Sequence, residues 1–146
     1  MRVLGLHEEA IPDSGHCMTW RCEDHGLSMT LSKEVPTLVS KALKGYLKRL
    51  YQVSGVEERS KAYFAIHPGG PKILQQIQLL LNLEEEQIQH SVEVLKGYGN
   101  MSSATLPHIW EKMMQDTKVP DGAQIVSLAF GPGLTIAGSL FEKRSG

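Results

Sequence analysis

Three short segments of the sequence contain residues that could do chemistry. The segment "HPGG" (67–70) places His67 between an apolar run and an amphipathic stretch. A histidine at the end of a buried strand lies where open α/β sheets gather their reactive groups. Gly69 and Gly70 lack side chains, so a ligand can approach the backbone closely, and the helix start beyond them offers free N–H groups. These residues therefore suggest a ligand site at a strand end.

The other two segments are "GYGNMSSA" (97–104) and "FGPG" (130–133). Asn100 lies ahead of a helix, where its amide could point into a cleft. Each segment also has a purely structural interpretation. His67 could be a surface or structural histidine beside a turn, Asn100 a turn residue or helix cap, and "FGPG" a tight link between two strands. Taken one at a time, the segments leave both interpretations open.

Two cysteines and two histidines near the N-terminus suggest a zinc site, made of Cys17, Cys22, His16 and His25. The C-x4-C spacing is loose for zinc, and five residues along a strand place two side chains on opposite faces. Two buried or half-buried thiols are the favoured interpretation, and we predict no metal site. His7, His90 and His108 form no partner pattern, which indicates surface or packing residues.

Apolar periodicity predicts the elements that must position these residues. From Val35 to Leu50 the apolar residues recur at i, i+3, i+4 and i+7, which is typical of a long amphipathic helix. Pro36 lies in its first turn. The other expected elements are a strand at 3–11, a hairpin at 16–32, a strand at 62–66, a helix opened by Pro71, a helix at 84–96 closed by Gly97 and Gly99, a helix capped by Ser102 or Ser103 and ending near Asp116, and strands at 125–130 and 134–142. This order predicts an α/β domain, layered α-β-α with a mixed sheet.

Size and charge exclude several classes of protein. At 146 residues the chain is expected to form one domain, and a net charge of −1 offers no footprint for nucleic acid or an anionic membrane. No apolar run approaches the ~20 residues that span a bilayer. The N-terminus lacks a signal-peptide pattern, and two cysteines fit a reducing compartment, so we expect a cytoplasmic location.

The three segments occur together as "IHPGGPKIL", "YGNMSSA" and "FGPGLT", in an order that resembles the type III polyketide synthases, the chalcone and stilbene synthase family. The resemblance begins at "IPDS" and "EDHGLSMTL", continues through "EVPTLVSK", and covers essentially residues 1–146. That family has the thiolase fold, built from two similar halves. The chain resembles the C-terminal half, a thiolase-like domain.

The resemblance implies a decarboxylative Claisen condensation, in which the enolate of malonyl-CoA attacks an acyl group taken from an acyl-CoA starter. His67 and Asn100 match the family's catalytic pair, and the histidine also stabilises the nucleophilic cysteine as a thiolate. That cysteine belongs to the N-terminal half, which this chain does not contain, so we expect the isolated chain to be inactive. The substrates are coenzyme A thioesters and no further cofactor is implied.

The resemblance also implies a set of residues that bind substrate and coenzyme A. Met29 matches the position of a phenylalanine gatekeeper in plant members, and Trp20 matches a small glycine, so the pocket should differ from that of plant flavonoid enzymes. A bacterial-type enzyme with an aliphatic or unknown acyl starter fits at least as well. The implied binding residues are Met29, Gly69, Gly70, Lys72, Ser102, Phe130, Gly131, Pro132 and Gly133.

Three interpretations remain open. In the first, the chain is the C-terminal domain of such a synthase, which works with a partner half and allows a homodimer. In the second, it is a non-catalytic truncated remnant that binds acyl-CoA or serves as an interaction module. In the third, which ranks lower, it is a relative of ketoacyl-ACP synthase III, whose flanking residues differ from "HPGGP" and "GNMSS". A lone half should expose apolar area, which we expect on the helix at 103–116 or the strand at 125–130.

Overall fold

A computed structural model describes residues 1–59 and 61–144. Its strands are β1 (Arg2–Ala10), β2 (Met18–Glu23), β3 (Gly26–Leu31), β4 (Tyr63–Ile66), β5 (Gln124–Gly131) and β6 (Thr135–Glu142). Its α-helices are α1 (Val35–Ser54), α2 (Pro71–Leu81), α3 (Glu85–Tyr98) and α4 (Thr105–Gln115), the last preceded by a 3-10 turn at Ser102–Ala104. Each expected strand and helix is present, with bounds shifted by a few residues.

Four of the strands form one mixed sheet in the order β1-β6-β5-β4. β6 pairs antiparallel with β1 and β5, whereas β4 pairs parallel with β5. β2 and β3 form a separate antiparallel hairpin that turns at residues 24–25. The sheet thus confirms the predicted mixed topology and places the carboxyl end of β4 beside β5.

Helices pack on both faces of the sheet at β4 and β5, and the strands there alternate between two cores. In β4, Phe64 and Ile66 join the core under α1 and α2. Tyr63 and Ala65 join a second core with Ile109 and other residues of α3 and α4. Because successive side chains of a strand point to opposite faces, one short apolar strand contributes to both cores. The layered α-β-α architecture is confirmed.

Helix α1 is fixed to the sheet by one close approach. Tyr46 is fully buried and donates a hydrogen bond from its hydroxyl to the carbonyl oxygen of His7 in β1. Its ring lies over Gly138 of β6, where a Cβ atom would come within 2.5 Å of the tyrosine oxygen. A glycine at this position therefore lets α1 approach the sheet closely.

Helix α4 begins differently from the prediction. The residue that precedes it is Ala104, and no side-chain hydrogen bond caps the helix, so a cap from Ser102 or Ser103 was wrong. Instead the hydroxyl oxygen of Thr105, the first helical residue, accepts a hydrogen bond from the Met101 N–H. The serines are drawn into the 3-10 turn, where Ser102 has a φ of 55°.

The expected location of exposed apolar surface was also wrong. Residues 124–128 of β5 are buried, and Ile109 and Met113 of α4 are fully buried. Exposed large apolar side chains lie elsewhere, among them Trp20, Leu27, Met29 and Leu31 of the hairpin and Val3 and Leu6 of β1. β5 lies between β4 and β6 and contributes side chains to both cores, whereas the hairpin pairs with no strand of that sheet.

No helix in the described part of the chain is both long and apolar enough to cross a bilayer.

Candidate active site

A cavity of about 710 Å³ lies where five parts of the fold meet. These parts are the hairpin, the start of α1, the segment from β4 into α2, the residues before α4, and the β5–β6 turn. His67 and Asn100 both line this cavity although they are distant in sequence. The other lining residues are Met18, Trp20, Met29, Leu31, Ser32, Lys33, Val35, Pro36, Gly69, Gly70, Pro71, Lys72, Ile73, Ser102, Phe130 and Pro132.

His67 is held at the end of β4 by its own backbone. Its N–H donates to the carbonyl oxygen of Leu128 at 2.8 Å, which extends the β4–β5 pairing by one residue. Its carbonyl oxygen accepts from the Gly69 N–H at 3.1 Å, so the chain turns immediately afterwards. The side chain is half-buried, and this loss of solvation lowers the pKa of His67 from its ordinary value. The lowered pKa therefore favours the uncharged imidazole at neutral pH.

This pKa shift predicts a pH dependence of stability. In the unfolded chain His67 titrates near 6.5, and in the folded protein its pKa is lower. The unfolded state therefore binds more protons between the two pKa values, so His67 contributes a loss of stability that begins as the pH falls through 6.5 and ends below its folded pKa. We expect His67→Asn to remove this component. The check is to compare urea unfolding of both proteins between about pH 7.5 and pH 5, with the imidazole followed by NMR. A midpoint above 6.5 for His67 would contradict the prediction.

Asn100 is exposed, and its amide has a defined orientation. The Ser102 N–H donates to Oδ1 of Asn100 at 2.8 Å. A backbone N–H can only donate, so the atom it meets is the amide oxygen, and the NH2 group is the other end. The left-handed Ser102 brings its N–H back to this oxygen. The cavity wall thus carries an asparagine whose oxygen is engaged and whose NH2 group is a donor.

The start of α2 forms a second part of the wall. Gly70 precedes the helix and provides no side-chain cap, and Pro71 occupies the first helical position. Helix N-termini leave backbone N–H groups without helical partners, and these attract negative charge. A Cβ atom built on Gly69 or Gly70 meets no protein atom within 4 Å. Packing within the chain therefore does not explain these two glycines, whereas a ligand close to the backbone would.

The β5–β6 turn contributes unevenly to the cavity. Phe130 and Pro132 line it, but Gly131 and Gly133, which were predicted with them, do not. Gly133 has a φ of 72°, and its N–H donates to the carbonyl oxygen of Met18 at 2.8 Å. This glycine fixes the turn to the start of the hairpin, so it positions the wall without lining it.

The hairpin forms an apolar wall that is open to solvent on one side. Trp20 and Met29 line the cavity and pair across the hairpin, yet their exposed fractions are 50% and 49%. Lys33 also lines the cavity and was missed by the sequence analysis. Its position just before α1 could have indicated a place in the cavity wall, because Lys33 precedes the start of a helix as "HPGG" does.

Neither cysteine lines the cavity. Cys17 is fully buried and Cys22 is exposed, so the expectation of two buried or half-buried thiols holds only for Cys17. The described residues of the cavity wall thus combine hydrogen-bond donors with apolar side chains, and they contain no thiol nucleophile.

Comparison with known proteins decides the family. A model of the C-terminal domain of chalcone and stilbene synthases matches residues 5–144. The chain belongs to the chalcone and stilbene synthase family. It is a type III polyketide synthase C-terminal domain by this match, and its sheet and helices are those of a thiolase-like half.

A solved structure agrees with the family assignment. The C-terminal type III polyketide synthase domain of Steely1, a type I/III polyketide synthase hybrid from Dictyostelium, superposes with a TM-score of 0.90 at 25% sequence identity. The match covers 98% of this chain but 40% of that one. This member of the chalcone and stilbene synthase family thus spans less than half the length of the structure it matches.

Proposed function

We propose that this chain is the C-terminal half of a type III polyketide synthase active site, which condenses malonyl-CoA with an acyl group derived from an acyl-CoA starter. The observation that carries the proposal is the presence of His67 and Asn100 on the wall of one cavity. An N-terminal half, supplied by a longer chain or a separate one, would provide the nucleophilic cysteine. Two such pairs could assemble as a homodimer.

The two side chains suit the charge that develops in this reaction. When malonyl-CoA loses carbon dioxide, an enolate forms and negative charge grows on the thioester oxygen. Donors placed before the reaction stabilise such an oxygen without reorganisation. Its lowered pKa favours the uncharged form of His67 at neutral pH, and Asn100 has an NH2 group to donate. Both can therefore act as neutral N–H donors, whose proximity to the developing oxyanion lowers the barrier.

The remaining walls suit a coenzyme A thioester. Lys33 and Lys72 bring two positive charges to the cavity, and the N-terminus of α2 adds partial positive charge. Trp20, Met29 and Phe130 provide apolar contacts for an acyl chain. The flexible thioether of Met29 lets this wall adapt to acyl starters of different shapes.

The open hairpin wall is consistent with a missing partner half. Leu27 and Leu31 are 67% and 54% exposed on the hairpin, and Trp20 and Met29 are about half exposed. A partner that covered these side chains would close the cavity and exclude water from the reaction. The chain itself has no thiol in the cavity wall, so the partner must also bring the nucleophile.

The proposal is tested by reconstitution. The isolated chain is incubated with malonyl-CoA and an acyl-CoA, and then with an N-terminal half of this family added or fused. We expect carbon dioxide release and polyketide formation only when the second half is present. Acylated Cys17 or Cys22 that turns over in the isolated chain would contradict the proposal. Binding of malonyl-CoA to the isolated chain with no activity in any pairing would favour the non-catalytic acyl-CoA-binding module.

Gly69 provides a test that needs no partner half. Its Cβ would meet no protein atom within 4 Å, so Gly69→Ala should leave stability unchanged or raise it by up to about 1 kcal/mol. A ligand that lies against this backbone would lose affinity by about fivefold or more, since about 1 kcal/mol of steric conflict has that effect. Calorimetry with malonyl-CoA measures it. Gly15→Ala is the matched control, because Gly15 also has open space and does not line the cavity. Equal affinities for the two variants would refute a bound thioester at Gly69.

A further inference from the structure

Three metal-ligating side chains meet at the base of the hairpin. His16 and Cys17 directly precede β2, and Glu34 directly precedes α1. Nε2 of His16 lies 3.5 Å from Sγ of Cys17 and 4.0 Å from Oε2 of Glu34. The three ligand atoms all lie within 4.8 Å of one another. From the sequence we rejected a zinc site with Cys22 and His25 and predicted no metal site, but the fold brings Glu34 to His16 and Cys17 instead.

The backbone around these ligands is well fixed. The Cys17 N–H donates to the Ser14 carbonyl at 2.8 Å, and the Cys17 carbonyl accepts from the Ser32 N–H at 2.8 Å. The Ser32 hydroxyl accepts from the Glu34 N–H at 3.2 Å and donates to its carboxylate at 3.4 Å. The base of the hairpin thus joins both segments that carry ligands, and their separation is set before any ion binds.

We propose that His16, Cys17 and Glu34 bind a zinc ion, with water in the fourth position. Zn–S bonds of about 2.3 Å and Zn–N or Zn–O bonds of about 2.0–2.2 Å place tetrahedral donor atoms roughly 3.3–3.6 Å apart. The histidine–cysteine distance of 3.5 Å already falls in this range. The histidine–glutamate distance of 4.0 Å must shorten slightly, and both side chains are about 70% exposed and free to move.

The donor set favours zinc over the common hard cations. Thiolate and imidazole are ligands of zinc and of the softer transition metals, whereas magnesium and calcium prefer sites made of oxygen atoms. Cys17 is fully buried, while His16 and Glu34 are exposed. Because Cys17 has no exposed surface, an ion reaches the sulfur only when the exposed side chains of His16 and Glu34 move aside.

A metal here would brace the wall of the main cavity. Met18 follows the cysteine ligand, and Lys33 and Val35 flank Glu34; all three line that cavity. The ion would connect the start of β2 to the start of α1 by bonds between side chains. This structural role of the metal does not depend on the proposed condensation activity, because the metal would fix the position of the hairpin relative to α1.

The test uses the full chain, reduced and freed of metal by a chelator, with Co²⁺ as a spectroscopic probe and Zn²⁺ as its competitor. We expect one Co²⁺ per chain, visible bands of a tetrahedral ion, and a sulfur-to-cobalt charge-transfer band that Zn²⁺ abolishes. Cys17→Ser should remove the charge-transfer band. His16→Asn and Glu34→Gln should each lower the affinity for Co²⁺ by at least about tenfold. Loss of a group that only orients a metal ligand already costs about that much, and these two residues are proposed as ligands themselves.

Matched controls separate this site from adventitious binding. Cys22→Ser and His25→Asn change an exposed cysteine and an exposed histidine of the same hairpin outside the cluster, and we expect wild-type spectra. His16→Asn and Glu34→Gln alter exposed side chains, so they remain informative if Cys17→Ser does not fold. The proposal would be overturned if the wild type showed no charge-transfer band. It would also be overturned if the band disappeared in Cys22→Ser and was unaffected by His16→Asn and Glu34→Gln.

Discussion

Replacing Asn100 by aspartate is expected to lower the condensation rate of the assembled enzyme by about 10²–10³-fold, the cost of losing one donor to a developing oxyanion. The substitution keeps Oδ1, which accepts from the Ser102 N–H, and exchanges the NH2 group for an oxygen. Local geometry should therefore survive while the donor is lost and a carboxylate charge is added beside the developing oxyanion, so the loss of rate is at least that of one donor. The measurement is carbon dioxide release from malonyl-CoA by the chain paired with an N-terminal half.

Replacing His67 should have an effect of the same size, and the choice of residue is informative. His67→Ala removes the donor, whereas His67→Gln retains an amide N–H and should recover part of the rate. His108→Ala is the control, because His108 is exposed on α4, bonds to the Ala104 carbonyl and does not line the cavity. Rates within about threefold of wild type for both Asn100→Asp and His67→Ala would show that these donors do not act on the reacting oxygen.

Replacing Gly138 by alanine is expected to destabilise the fold by about 1–3 kcal/mol, the usual cost of overpacking a filled core. The new Cβ would lie 2.5 Å from the hydroxyl oxygen and 3.1 Å from Cε1 of Tyr46, and 3.2 Å from the Ser127 carbonyl oxygen. Tyr46 is fully buried and its hydroxyl is bonded to β1, so it cannot swing away freely. Urea unfolding monitored by circular dichroism gives the free energy difference.

Two further variants identify the cause of this loss. Gly131→Ala is the control, because a Cβ there meets nothing within 4 Å at the end of β5, and its stability should stay close to wild type. Tyr46→Phe removes the nearest oxygen, so the double variant with Gly138→Ala should be more stable than the sum of the two single losses predicts. Simple additivity would place the conflict elsewhere than at the tyrosine hydroxyl.

The sequence by itself determined the elements and the family. Helix α1 was predictable because its apolar residues repeat with the helical period, which is a local property of the chain. The placement of His67 after β4 was predictable from local sequence as well, because an apolar run followed by two glycines and a proline marks the end of a strand and the start of a helix. The ordered set of segments around His67, Asn100 and Phe130 pointed to the family, which the family model over residues 5–144 confirms.

The surface of the molecule was decided by tertiary structure. β5 was expected to expose apolar side chains, but the two cores pack against its two faces and bury most of the strand. The hairpin itself was predictable from the sequence, but the exposure of its apolar side chains to solvent was not. Pairing within two strands is local, whereas packing against the rest of the fold depends on distant elements.

Contacts between distant segments were likewise beyond the reach of the sequence pattern. Gly133 bonds to Met18, and so it positions the cavity wall that it was predicted to line. Glu34 meets Cys17 because the hairpin brings its two ends together. Periodicity and turn chemistry report on neighbours along the chain, and such contacts are set by the packing of whole elements. The sequence thus named the residues that could react, and only the fold decided which of them share a site.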